Sequence, residues 1–208
     1  MDGLVTNASL ISGVGGGGGS QHAIVLTGLA GLAAGAFSMA AGEFVSVSSQ
    51  NELVESEVGK EKHELTTNAA AEQAELVGML RRRGMSAATA KQAAAEISAH
   101  PDKALAVHTL EELGINPSEL PSPVVAAGAS LSAFAVGAII PLFPYLIGFD
   151  ALGVALGLSA LAAIIGGGVV ARMTARPFWR GALRQLILGA LATGITYLIG
   201  LAVGGMAG

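Results

Sequence analysis

We predict that the sequence folds as an all-α integral membrane protein. Five membrane-spanning helices are expected, the first short or truncated, with a cytoplasmic three-helix acidic insert between helices two and three. Hydrophobic residues make up 52% of the 208 residues, charged residues only 12%, and the mean hydropathy is +0.62. Soluble domains carry about 25% charged residues. The charges are also segregated, because thirteen of the fifteen acidic residues lie between Glu43 and Glu119.

The first two predicted spans lie in residues 3–42, which hold no Asp, Glu, Lys or Arg. A bilayer core about 30 Å thick requires roughly 20 apolar residues in a helix. The glycine run Gly15–Gly19 divides this stretch into a helical hairpin. Its second arm, from Ala23 to about Val47, is long enough to span. Its first arm, from Asp2 to about Val14, is short, and we expect that the sequence begins inside a helix.

The remaining predicted spans are three further uncharged runs: Leu120–Phe149, Ala151–Ala171 and Gln185–Gly208. We therefore divide the chain into residues 1–47 with transmembrane helices one and two, 48–120 as a cytoplasmic helical metal-binding domain, and 121–208 with transmembrane helices three to five.

The polar stretch is expected to hold about three helices, the first continuing from span two without a loop. Helix breaks are predicted at Thr67-Asn68, Gly84, His100-Pro101 and Gly114-Ile115-Asn116-Pro117. The expected N-caps are Thr67 or Asn68, then Ser86, then Asp102.

The basic residues predict the orientation. Four arginines lie between spans four and five, and Lys60, Lys62 and Arg81–Arg83 lie between spans two and three. The other two connections hold no Lys or Arg, so the positive-inside rule places the N-terminus and the insert in the cytoplasm and the C-terminus outside. The short chain suggests a bacterial cytoplasmic membrane. Because five spans make a thin bundle, we expect a homodimer with a polar path at its two-fold interface.

The insert carries glutamates at regular spacing: Glu57, Glu61, Glu64, Glu72 and Glu75. On one continuous helix they would fall within a stripe of roughly 80°. If the helix breaks near Asn68, the two Glu-x-x-Glu pairs could face each other instead. Either arrangement concentrates oxygen ligands that suit divalent cations. The alternative is a solvated acidic face with Lys60 and Lys62.

Further candidate ligands are a histidine in the insert and three residues near the membrane. His108 precedes Glu112 by four residues, so one helix face could hold both, whereas His63 and His100 are scattered; ordinary surface polarity is the alternative. Ionisable groups at membrane depth are usually functional, so Asp2 and Glu43 are candidates. The alternative for Glu43, near the cytoplasmic end of span two, is that its carboxylate only extends to water at the membrane surface. Met39 offers a soft thioether ligand, although packing is the commoner role of methionine.

Several classes of function are disfavoured. The absence of cysteine excludes disulfides, thiolate metal sites and iron–sulfur ligation. The glycine run lacks the lysine of a phosphate-binding loop, and no Ser/His/Asp or His-Glu-x-x-His arrangement occurs. With 4% aromatic residues and short basic clusters, nucleic-acid binding is unsupported. We expect neither an enzyme nor a bound cofactor.

The sequence resembles the vacuolar iron transporter family, including its bacterial members. The resemblance covers essentially the whole chain, and the motif in span two is its most specific part. It rests on Asp2-Gly3-Leu4-Val5-Thr6-Asn7, on the motif from Gly35 to Gln50, on the glutamate-rich stretch after it, and on Glu111-Glu112-Leu113-Gly114.

The resemblance implies five spans, a cytosolic metal-binding insert, a homodimer and exchange of Fe²⁺, often also Mn²⁺, for protons. It implies a translocation path lined by Asp2 and Met39, to which we add Glu43. It also implies that metal binds to Glu61, Glu64, Glu72, Glu75 and Glu112. His108 and Thr109 stand where the family often has methionine, so the insert site is expected to differ in affinity or metal preference.

The leading hypothesis is therefore a proton-coupled transporter that exports or sequesters cytoplasmic Fe²⁺, with Mn²⁺ as a second substrate. The alternative is a membrane-anchored metal-binding or storage module without transport. A ferroxidase is weaker, because di-iron sites use Glu-x-x-His and the sequence holds none.

Overall fold

The computed structural model describes residues 1–114 and 116–207, apart from the side chains of Ser118 and Ala207. The described chain is all-helical, as predicted, with eight α-helices and a short 3₁₀ turn at Pro117–Glu119. The predicted break residue Ile115 and the predicted end of span five, Gly208, lie outside the described residues. The helices are α1 Asp2–Gly16, α2 Gln21–Thr67, α3 Ala69–Arg82, α4 Ala87–Ser98, α5 Pro101–Leu113, α6 Pro123–Leu146, α7 Leu152–Met173 and α8 Phe178–Ala207.

Four of the described helices are long and apolar enough to cross a membrane: α2, α6, α7 and α8. Helix α1 has 15 residues and so rises only about 22 Å, less than the roughly 30 Å of a bilayer core.

The chain forms two compact units. The first, the membrane unit, comprises Met1–Phe44 and Val124–Gly208, and the second, the polar unit, comprises Val45–Pro123. Helix α2 contributes residues to both units, as expected from a helix that continues beyond span two without a loop.

In the membrane unit, α1 packs against α7 and α8 through small residues. A Cβ atom on Gly200 would overlap the carbonyl oxygen of Gly13, so α1 and α8 approach with no room for a side chain. Two polar side chains also fix α1. Asn7 Nδ2 donates to the Ala138 carbonyl at 2.6 Å, and Ser12 Oγ donates to the Thr193 carbonyl at 3.1 Å. Lipid tails offer no hydrogen-bonding groups, so these two polar side chains find their partners within the protein.

The last predicted span begins earlier than the sequence indicated. Helix α8 starts at Phe178 rather than Gln185, so Arg180 and Arg184 are helical and residues 174–177 alone separate α7 from α8. The uncharged run marked only the apolar part of the helix. An arginine in the first turns can keep its charge in water while its aliphatic stem covers apolar surface.

The polar unit holds the end of α2 together with α3, α4 and α5. Its apolar core is formed by α3 and α4, with Val107 of α5 packed against it; the buried members are Leu76, Met79, Leu80, Ala90 and Ala94.

The predicted helix starts in the polar unit are partly correct. The predicted Ser86 cap of α4 is confirmed, because its hydroxyl accepts from the Thr89 amide at 3.2 Å. Asn68 lies at the N-cap of α3 without a side-chain cap bond. The prediction of Asp102 as a cap is wrong: His100 is the N-cap of α5 and Pro101 its first residue, a position where the fixed φ of proline is favoured.

Candidate metal centre

Four of the predicted ligands meet in the polar unit: Glu61, Glu72, His108 and Glu112. One ligand atom of each lies within 4.8 Å of those of the others. Three separate segments supply them. Glu61 lies two turns before the end of α2, Glu72 is in the first turn of α3, and His108 and Glu112 lie one turn apart on α5.

The imidazole of His108 stands at the centre of this metal-ligand cluster. Its Nδ1 atom lies 3.0 Å from Glu61 Oε1, 3.5 Å from Glu112 Oε1 and 3.7 Å from Glu72 Oε2. His108 is fully buried, and Glu61 and Glu72 are 6% and 7% exposed. Glu112 lies at the more open side, with 30% of its side chain exposed.

Several of these buried polar atoms have no hydrogen-bond partner in the described part of the chain. They are Glu61 Oε1 and both ring nitrogens of His108. Although His108 Nδ1 lies close to Glu61 Oε1, this contact lacks hydrogen-bond geometry. Buried polar groups are normally paired, so each such atom requires an explanation. A divalent cation among an imidazole nitrogen and three carboxylates would satisfy them, and this donor set suits Fe²⁺, Mn²⁺ and related ions.

The electrostatics of the metal-ligand cluster also favour a cation. Burial, followed by repulsion from Glu112, Glu72 and Glu64, raises the pKa of Glu61 from 4.5 to about 7. Burial also raises the pKa of Glu72. Its closeness to His108 opposes that shift, and Glu75, Glu64 and Glu112 add to it. Crowded carboxylates of this kind hold protons unless a positive ion replaces them.

A cavity of about 120 Å³ adjoins the metal-ligand cluster. Its wall includes Glu61, Glu64 and Glu112, together with Glu57 and Lys60. Lys60 Nζ pairs with Glu57 Oε1 at 2.6 Å. No ion pair is predicted for Lys60 from the sequence, although its i,i+3 spacing from Glu57 is a signal for this one.

The remaining predicted insert ligands lie apart from the four. Glu64 is exposed and lines the adjoining cavity, whereas Glu75 is exposed on α3 outside the metal-ligand cluster. Thr109 is buried at the cavity wall, but its hydroxyl donates to the carbonyls of Leu105 and Ala106. His63 and His100 are exposed.

The three predicted path residues lie in the membrane unit. Asp2 is the first residue of α1, and Met39 and Glu43 are on α2. All three side chains are exposed in the single chain, Met39 by 40%. None of them belongs to a metal-ligand cluster of described residues, so their role remains a prediction.

These features define a class: a helical protein with apolar helices of membrane-spanning length and a separate polar unit that gathers one histidine and three carboxylates. Comparison with known proteins gives the family. A sequence model described as the VIT family matches residues 1–201. The chain belongs to the VIT family, which confirms the resemblance found in its motifs.

Similar proteins cover most of the chain. A "Vacuolar iron transporter" of Acanthamoeba castellanii is 36% identical over 186 residues, which are 87% of this chain and 70% of that protein. "Vacuolar iron transporter homolog 1" of Oryza sativa subsp. japonica is 33% identical, over 94% of this chain and 67% of its own. "Vacuolar iron transporter homolog 3" of Arabidopsis thaliana is 33% identical, over 94% and 75%. These names are those of transporters, not enzymes, and agree with the prediction that this chain is not an enzyme.

Proposed function

We propose that this protein transports divalent metal, with Fe²⁺ as substrate and Mn²⁺ as a second one, out of the cytoplasm by exchange for protons. One observation supports the proposal most directly. A buried histidine and three glutamates converge in the polar unit, and Glu61 Oε1 and both ring nitrogens of His108 have no hydrogen-bond partner among the described residues. The names of the related transporters support iron as the metal.

The polar unit is proposed to capture the ion on the cytoplasmic side. His108, Glu61 and Glu72 supply buried ligands, and the more exposed Glu112 would meet the incoming ion first. The cavity beside Glu112 gives an approach, and its acidic wall attracts cations.

The membrane step is proposed to use Asp2, Met39 and Glu43. A carboxylate that binds either a proton or a metal ion, but not both, gives the competition that exchange requires. The exposure of all three in the single chain is consistent with a path that a second copy completes. We therefore propose a homodimer and a fifth span formed by α1, in a bacterial cytoplasmic membrane with the polar unit in the cytoplasm.

A storage or metal-binding function without transport is the second candidate. It is favoured by the location of the metal-ligand cluster, whose four residues all lie in the polar unit.

Metal flux separates the two candidates. The full chain is reconstituted into proteoliposomes that contain a fluorescent metal indicator, and Fe²⁺ is added without oxygen under an opposing pH gradient. We expect saturable entry of metal that falls at least about tenfold in His108→Leu, since even a lost partner of a ligand usually costs 10- to 100-fold. Glu96→Gln, an exposed carboxylate of α4, is the matched control. Metal binding by the protein without any entry would refute transport and leave storage.

A further inference from the structure

All Lys and Arg residues of the membrane unit lie in the turn between α7 and α8 or in the adjoining ends of these two helices. These are Arg172, Arg176, Arg180 and Arg184. All four are exposed, and none forms an ion pair with any carboxylate in the described part of the chain. The basic turn, as we call these four residues with Trp179, therefore carries a concentrated positive charge that nothing described in the protein neutralises.

The position of the basic turn matches a membrane surface. Residues 151–171 before it and 185–207 after it hold no charged residue. Both belong to helices long and apolar enough to span a bilayer. The turn consequently lies where two apolar segments leave the lipid, at the depth of the headgroups.

Exposed apolar side chains accompany the arginines. Trp179 is 61% exposed, Met173 is 82% exposed, and the Arg180 guanidinium lies 5.3 Å from the centre of the Trp179 ring. Tryptophan is enriched at the level of the headgroups, where its ring is partly in lipid and its N–H in water. A partner that covers this surface must be negatively charged and apolar in neighbouring parts, as a phospholipid is.

The choice of arginine adds chemical specificity. The four lysines of the chain lie in the polar unit, whereas the basic residues of the membrane unit are all arginine. Control of orientation needs only positive charge, which lysine supplies equally. A guanidinium also binds a phosphate through two parallel hydrogen bonds, which an ammonium cannot do.

We propose that the basic turn binds the headgroup phosphate of an anionic phospholipid. Arg176 and Arg184 supply guanidinium groups to the phosphate, and Trp179, held under Arg180, packs against the start of the acyl chains. This interaction is separate from metal transport and does not depend on it.

Trp179 provides a direct assay, because it is the only tryptophan of the chain. The full chain is placed in phosphatidylcholine nanodiscs that contain small amounts of phosphatidylglycerol or phosphatidylcholine with brominated acyl chains. Bromine quenches a tryptophan that it contacts. We expect brominated phosphatidylglycerol to quench at a much lower fraction than brominated phosphatidylcholine.

The double variant Arg176→Gln/Arg184→Gln keeps the contact between Arg180 and Trp179. A basic residue near an anionic bilayer surface strengthens binding by a factor of about five, so the variant should lose about twenty-five-fold of this preference. Arg81→Gln/Arg82→Gln, which removes two exposed arginines of the polar unit, should keep it. Equal quenching by both lipids, or equal losses in both variants, would overturn the proposal.

Two further arms separate the alternatives. Soluble glycerol phosphate should not compete with brominated phosphatidylglycerol, and full competition would instead indicate a site for a soluble anion. Met206→Cys reports orientation by labelling, because the sequence contains no cysteine of its own. If the glutamine pair is misoriented, Arg176→Lys/Arg184→Lys is measured instead. A lowered preference supports the guanidinium–phosphate site, and an unchanged preference overturns it.

Discussion

Because the pKa of the buried Glu61 carboxyl is raised, we predict that the metal-free polar unit loses stability as pH rises. This pKa is about 7 in the folded protein and 4.5 as the ordinary value. The folded state therefore binds the proton more tightly than the unfolded state does. Between pH 4.5 and 7 the folded state carries more protons, so the free energy of unfolding falls as pH increases through this window.

The magnitude follows from the two pKa values. A shift of one unit corresponds to about 1.4 kcal/mol, so a rise from 4.5 to about 7 destabilises the ionised folded state by about 3 kcal/mol above pH 7. Glu72 acts in the same direction, because its pKa is also raised. Glu61→Gln removes the ionisable group. Because part of the change already occurs below pH 5, we expect this variant to lose about 2.5 kcal/mol less than the wild type between pH 5 and pH 8.

The free energy of opening of the polar unit can be measured by hydrogen exchange of the full chain in detergent. Mass spectrometry follows peptides from α3 and α5, and the rates are corrected for the intrinsic exchange rate. Exposed Glu96 is the matched control, so Glu96→Gln should follow the wild-type pH dependence. Mn²⁺ should restore protection to the wild type at pH 8 and not to Glu61→Gln. A wild-type opening free energy that is constant from pH 5 to pH 8, or an equal slope in Glu61→Gln, would refute the reasoning.

Two further predictions concern the membrane unit. Gly200→Ala should destabilise the full chain by about 1 to 3 kcal/mol, because its Cβ would overlap the Gly13 carbonyl. Thermal melting in detergent measures this loss. The control Gly194→Ala should show no such loss, because Gly194 has open space around it. Asp2→Asn should abolish proton-driven metal flux into proteoliposomes while metal binding to the polar unit, measured by calorimetry, stays intact; pH-dependent flux like that of the wild type would move the coupling role to Glu43.

Much of the fold could be predicted because lipid imposes simple rules on sequence. Uncharged runs located α6 and α7 to within a few residues. The same rule failed at α8, because charged residues can continue a helix beyond the apolar core. The hydroxyl of Ser86 gave a local signal for the start of α4, whereas the carboxylate of Asp102 competed with the stronger preference of Pro101 for the first helical position.

The candidate site was predictable in its residue types and less so in its membership. Regular spacing marked five glutamates of α2 and α3 equally, yet of these five only Glu61 and Glu72 approach His108. Which member of each Glu-x-x-Glu pair faces inward depends on the rotation of α2 and α3 against α5. The core that Leu76 and Met79 form with α4 fixes the rotation of α3, and periodicity within one helix contains no information about it.

The break at Asn68 is what makes a shared site possible. If α2 continued unbroken through Glu72, the eleven residues from Glu61 would separate the two side chains by about 16 Å along the axis. No single ion could then contact both, although they would share one face. Because α2 ends at Thr67 and α3 begins at Ala69, the chain can change direction, and both carboxylates come within 4 Å of His108 Nδ1. The carboxylate stripe of a continuous helix and the metal-ligand cluster of the structure are therefore alternative arrangements of the same residues. The backbone conformation at Asn68 determines which of them forms. The short interruption of the helix selects the metal-ligand cluster.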